Sequence, residues 1–182
     1  MSLNDHLADF LALRQANELL RQKGIEAILN SLSGILASFN EENSNQPGQN
    51  PLLMARQEWQ FTLGQSTLLG ERLGLRLDFR TIVFEIGWPR LPEHGHVPGG
   101  GLARGRVGFS QNLMLEPRPV TGLILRKDRA APSARWYLTH HDPGQDHLGS
   151  IAASEVELTD SHFAGFLSLL TGSAGNSIPF SN

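Results

Sequence analysis

The chain has 182 residues, 40% of them hydrophobic and 18% charged, which fits one ordinary domain and excludes a fibre, a disordered polymer or a string of membrane spans. Fifteen Lys and Arg against eighteen Asp and Glu leave a formal net charge of -3, so no global positive field marks a nucleic-acid or membrane-surface binder. The lack of cysteine excludes disulfides, thiolate nucleophiles and Cys-based zinc or iron–sulfur sites.

Asp5 and Asp9 interrupt the start of the chain, unlike the basic opening and apolar core of a signal peptide. No apolar run approaches the roughly 18–20 residues of a membrane helix. A cytoplasmic protein with no membrane partner is the expectation.

Residues 1–39 form the first compositional region. From Leu3 to Phe39 there is no proline, and the strong helix formers Leu, Ala, Glu, Gln and Arg dominate. Ile25, Leu29, Leu32, Leu36 and Phe39 recur at gaps of four, three, four and three, one apolar seam along a helix, and Ile28 and Ile35 widen it. Leu3, Leu7 and Phe10 share the spacing, but heptads from them land on Arg14, Asn17 and Arg21. The register therefore breaks at Gly24, predicting a helix pair or one kinked helix. The seam suits packing on the protein's own sheet, or self-association through Leu32, Ile35, Leu36 and Phe39.

Residues 40–51, NEENSNQPGQNP, contain no aliphatic or aromatic side chain and read as a flexible linker. From Arg56 the period becomes two. Trp59, Phe61 and Leu63 alternate with polar residues, as do Leu73, Leu75, Leu77 and Phe79. Ile82, Phe84, Ile86 and Trp88 change parity, and without Gly, Asn or Pro near Arg80 the pattern predicts a bulge in one long bent strand. Further strands are expected at Ala103 to Ser110, Val120 to Lys127, Ala134 to His141 and Leu148 to Leu158. Thr159 offers a helix N-cap, Phe163, Phe166, Leu167 and Leu170 share one helical face, and Gly172 is placed to end that helix. Residues 172–182 are expected to be a mobile tail. The resulting class is α+β: N-terminal helices, an antiparallel sheet of about five to six strands with one wet face, and a C-terminal helix on the other face.

Five of the seven histidines fall in two stretches, LPEHGHVPGGG and LTHHDPGQDHLG. His94 and His96 project to one side of an extended segment, and His141 and His147 would be cross-strand neighbours if residues 142–146 form a hairpin loop. Together the four offer a candidate divalent transition-metal site, and with it a metal-dependent enzyme; otherwise no cofactor is implied. The glycine-rich stretch PGGGLARG lacks the spacing of a phosphate-binding loop and reads as a connection between strands.

Seven Lys and Arg in residues 102–140 face only Glu116 and Asp128, whereas residues 141–182 carry five acidic and no basic side chains. Neighbouring strands can neutralise such blocks across a sheet face. The alternative is an anion- or nucleic-acid-binding face built on Arg126, Lys127 and Arg135, with Trp136 or Tyr137 available to stack on bases. No nucleophile elbow or positioned carboxylate pair supports catalysis. The expectation is a non-catalytic binding or adaptor domain whose partner is its own copy or another protein.

Overall fold

A computed structural model describes residues 3–46, 48–139 and 155–172. A single helix, α1 (Leu3–Asn43), is followed by seven strands, β1 (Leu53–Leu63), β2 (Ser66–Leu77), β3 (Arg80–Trp88), β4 (Ala103–Ser110), β5 (Arg118–Lys127), β6 (Ala134–Thr139) and β7 (Val156–Glu157), and then α2 (Asp160–Thr171). The strands form one antiparallel meander in sequence order. The α+β class holds, with seven strands rather than five to six.

The extra strand comes from the parity change near Arg80. Leu77 pairs with Arg80 across a two-residue turn, so the expected bent strand is a hairpin of β2 and β3. Asp78 supplies the left-handed residue, φ 54°, a conformation that a short polar side chain tolerates. Its carboxylate accepts a hydrogen bond from Asn50, and Arg76 donates to its carbonyl. Phe79, expected inside a strand, is at the turn tip and 85% exposed.

Gly24 neither breaks nor ends α1, which runs unbroken through it for 41 residues. Instead it permits contact. Trp136 Nε1 donates to the Gly24 carbonyl at 2.8 Å, and a Cβ at Gly24 would lie 2.9 Å from Leu125 Cδ2. Ile25, Ile28 and Leu32 enter the core on this face with Leu73, Leu75, Phe84, Ile86, Leu123 and Leu138. Asn40, near the end of α1, bonds both the N–H and the carbonyl of Leu52, tying the helix to the start of β1 across the polar segment.

α2 completes the same layer. The Thr159 hydroxyl and the His162 ring cap its first turn reciprocally, and Gly172, φ 73°, closes it in the left-handed conformation. Phe163 stacks on Phe84 at 5.8 Å, and Phe166 meets Phe84 edge-on at 5.6 Å. Each fully buried aromatic or aliphatic side chain here contributes about 1.5–3 kcal/mol.

The sheet face away from the helices is not wet in its centre. Leu68, Val83 and Ile124 are buried there beside Arg72, Glu85 and Arg104. The register places Gln57, Arg72, Glu85 and Arg106 in one row across four strands. Loops cover parts of this face. Gly95 lies on Ser66, Gly101 on Ile124 and Leu113 on Gly74, each loop using the small side chain or none to approach closely.

Candidate functional site

The row across β1 to β4 is an ionic cluster. Arg72 and Glu85 are 1% and 0% exposed, and Arg72 donates to Glu85 Oε1 through two nitrogens. Arg106 donates to the other Glu85 oxygen and reaches the exposed Glu116 at 3.2 Å. Trp59 caps the cluster, with the Arg72 guanidinium 3.7 Å from its ring centroid. Arg72 also donates to the carbonyls of Leu113 and Leu115, and Gln57 to that of Leu113. The Asn112 side chain accepts from the N–H groups of Met114 and Leu115. The cluster thus fixes the β4–β5 loop, and each oxygen of the buried carboxylate accepts from a guanidinium.

An open cleft of about 480 Å³ is lined by His96, Val97, Gly100, Gly101, Leu102, Arg126 and Lys127. It brings one member of the histidine set together with two of the basic set. Arg126 is already engaged: it holds Glu155 through Nε at 3.2 Å and Nη2 at 2.6 Å, and donates to the carbonyls of Gly99 and Gly100. Arg135 pairs with Glu157 at 3.1 Å. The basic and acidic blocks therefore meet as ion pairs at Arg126 and Arg135. Lys127 is exposed on the cleft rim.

His94 ends a short 3-10 turn, Pro92–His94, and its Nδ1 is enclosed without a hydrogen-bond partner among the described residues. His96 is exposed two residues on. Beside Arg126 and Lys127, a dication at His96 would meet like charge. Among the described residues, no three His, Asp or Glu side chains converge as metal ligands. His141 and His147 lie outside the described residues, as does the tail from residue 173.

Hydrogen bonds from Arg126 hold the Glu155 carboxyl below the usual carboxylate range; partial burial opposes this, and the charges of Arg126 and Arg104 reinforce it. A carboxylate depressed in the folded state adds stability above its unfolded value and loses it as pH falls through the folded value. Titration of the Glu155 carboxyl by carbon NMR is expected below the ordinary range, and Arg126→Met is expected to return it upward. A wild-type titration at the ordinary value would contradict the ion pair.

The proposed interface residues sit on the protein's own sheet. Leu32 is 1% exposed, and Ile35, Leu36 and Phe39 are partly buried against the main core. The free apolar surface of α1 lies upstream. Glu18, Leu20 and Arg21 anchor the helix below it, Glu18 reaching Arg90 at 3.9 Å, Leu20 buried and Arg21 donating to the Leu102 carbonyl at 2.6 Å beside Trp88. Residues 5–16 are exposed, an arm about 18 Å long at the helical rise of ~1.5 Å per residue. On it Leu7, Phe10, Leu11 and Leu13 are 57, 58, 51 and 54% exposed. Leu7 and Phe10 precede Ile25 and Ile28 by about five turns, so they continue the sheet-facing azimuth past the point where the sheet ends.

The interface set read from the sequence, Leu32, Ile35, Leu36 and Phe39, does not include Leu7 and Phe10, whose heptads reach Arg14, Asn17 and Arg21. Arg72 and Glu85 were missed, since a charge in an alternating strand ordinarily marks the solvent side. Among the described residues no helix is long and apolar enough to cross a membrane. No protein-family model, curated protein or solved structure matches the chain.

Proposed function

We propose that the chain is a non-catalytic binding domain that self-associates through the N-terminal arm of α1. The observation that carries this is the exposure of Leu7, Phe10, Leu11 and Leu13 on a helix whose downstream Leu20, Ile25, Ile28 and Leu32 are buried. Contiguous exposed apolar surface marks an interaction site more often than a solvated face. Burying the exposed half of each side chain is worth about 1 kcal/mol, half of a full burial, and pairing two arms doubles the gain. Binding is favoured over catalysis because the charged side chains of the buried row and most of the basic set pair with one another: Arg72 and Arg106 with Glu85, Arg126 with Glu155, Arg135 with Glu157.

Light scattering on the full chain tests the reading. The mass of the assembly is expected to fall by half or more on Leu7→Asp with Phe10→Asp. The melting temperature is expected to stay unchanged, since exposed substitutions ordinarily alter stability by no more than about 0.5 kcal/mol. An unchanged mass would overturn the arm as the interface.

A further inference from the structure

β1 is the outer strand of the sheet, 11 residues long, with an unbroken register against β2 from Leu53↔Arg76 to Leu63↔Ser66. Proteins blunt such edges with proline, a bulge, a very short strand or charged side chains, and the charges β1 carries, Arg56 and Glu58, are of opposite sign. The opposite edge is of that kind, β7 having 2 residues. The β1 sequence, LMARQEWQFTL, has neither proline nor glycine.

The turn after β1 sets which backbone groups are available. Gly64, φ 57°, and Gln65 form a two-residue loop, which makes Leu63 and Ser66 a hydrogen-bonded pair. Antiparallel pairing alternates, so the odd residues from Leu53 to Leu63 direct their N–H and C=O groups at β2. Met54, Arg56, Glu58, Gln60 and Thr62 direct theirs outward, and among the described residues no strand meets them. Arg56 and Glu58 are exposed and of opposite charge, one on each side of Gln57.

We propose that a second copy of this chain pairs antiparallel with β1 about a two-fold axis at Gln57, joining two sheets edge to edge. In that register even residues meet even residues, so every outward backbone group from Met54 to Gln60 finds a partner. Arg56 faces Glu58 of the second copy, and Glu58 faces its Arg56. On the other face Trp59 meets Ala55, large against small. Moving the axis by one residue sets Arg56 against Arg56 or Glu58 against Glu58, and opposed like charges destabilise a strand pair. Moving it by half a residue sets outward groups against inward ones. Charge and hydrogen-bond phase thus select the same axis. This contact is separate from the arm, and the two together assemble more than two copies.

The experiment uses the full chain carrying Leu7→Asp and Phe10→Asp, so that the arm does not contribute. Light scattering at micromolar concentration is expected to give a dimer. Glu58→Arg, which retains both members of the Arg56–Glu71 ion pair, is expected to halve the mass, as is Arg56→Glu. Combining Arg56→Glu with Glu58→Arg is expected to restore the dimer. Because the chain has no cysteine, Gln57→Cys reports the axis directly. Facing residues of a non-hydrogen-bonded pair have Cα atoms about 4.5 Å apart, within disulfide reach, so mild oxidation is expected to give a covalent dimer. Gln60→Cys, opposite Met54, is expected not to cross-link.

A monomeric arm variant would overturn this contact while supporting the arm. An arm variant of unchanged mass that Glu58→Arg then halves would support this contact and overturn the arm. Failure of the double exchange to restore the dimer, or cross-linking of Gln60→Cys as readily as Gln57→Cys, would also overturn it.

Discussion

Glu85→Ala is expected to cost about 3–5 kcal/mol of stability, because it leaves Arg72 and Arg106 enclosed on the sheet without the carboxylate that both contact. For a chain of this size that is a fall of roughly 6–20 °C in melting temperature. Urea denaturation followed by tryptophan fluorescence measures it, Trp59 lying directly on the cluster. Removing the whole cluster should behave differently from breaking it. A triple replacement, Arg72→Met, Glu85→Leu and Arg106→Met, removes the desolvated charges together, and such exchanges are often neutral or stabilising. That variant is expected to recover most of the loss. A Glu85→Ala cost below about 1 kcal/mol would show that water reaches the two guanidinium groups and screens the row.

The second large effect concerns two glycines in one helix that should respond with opposite signs. Gly34→Ala meets nothing within 4 Å, so it is expected to stabilise by about 0.8–1 kcal/mol, the helix-propensity difference. Gly24→Leu gains the same local preference but cannot be accommodated. Its Cβ would stand 2.9 Å from Leu125 and 3.1 Å from the Trp136 ring nitrogen, lifting α1 off β5 and β6 and breaking the Trp136–Gly24 hydrogen bond. Overpacking costs about 1–3 kcal/mol and an orphaned indole N–H about 1–3 more, so after the propensity gain a net loss of roughly 1–5 kcal/mol is expected in the same denaturation assay. A Gly24→Leu protein as stable as the parent would mean that helix and sheet do not touch there.

Much of the fold could be read along the chain. Thr159, Phe163, Phe166 and Gly172 outline α2 almost residue by residue, because caps and helical spacing are local. The limits of β4 follow from its period alone for the same reason. The errors share a different cause. Gly24 reads as a breaker when only neighbours in sequence are counted, yet it is the contact point of α1 with Trp136, 112 positions away. The lack of Gly, Asn or Pro near Arg80 argues against a tight turn, yet Asp78 makes it, because an aspartate also enters the left-handed region. Arg72 and Glu85 alternate as solvent-facing residues should, and only the loop carrying Leu113 removes that face from water.

Of the candidate sites, the sequence by itself determined which charges and apolar side chains exist and which elements carry them: a helical seam, alternating strands, a basic block followed by an acidic one. Tertiary structure decided what each is used for. It committed Leu32 and Leu36 to the protein's own sheet, set Arg126 on Glu155 and Arg135 on Glu157, and left Leu7 and Phe10 beyond the last strand. The physical reason is that periodicity records which face of an element is apolar, whereas burial depends on whether something lies opposite that face. The same composition that excluded a globally basic binder and a cysteine-dependent enzyme leaves, once folded, an exposed apolar arm and a β1 whose outer edge no strand meets among the described residues.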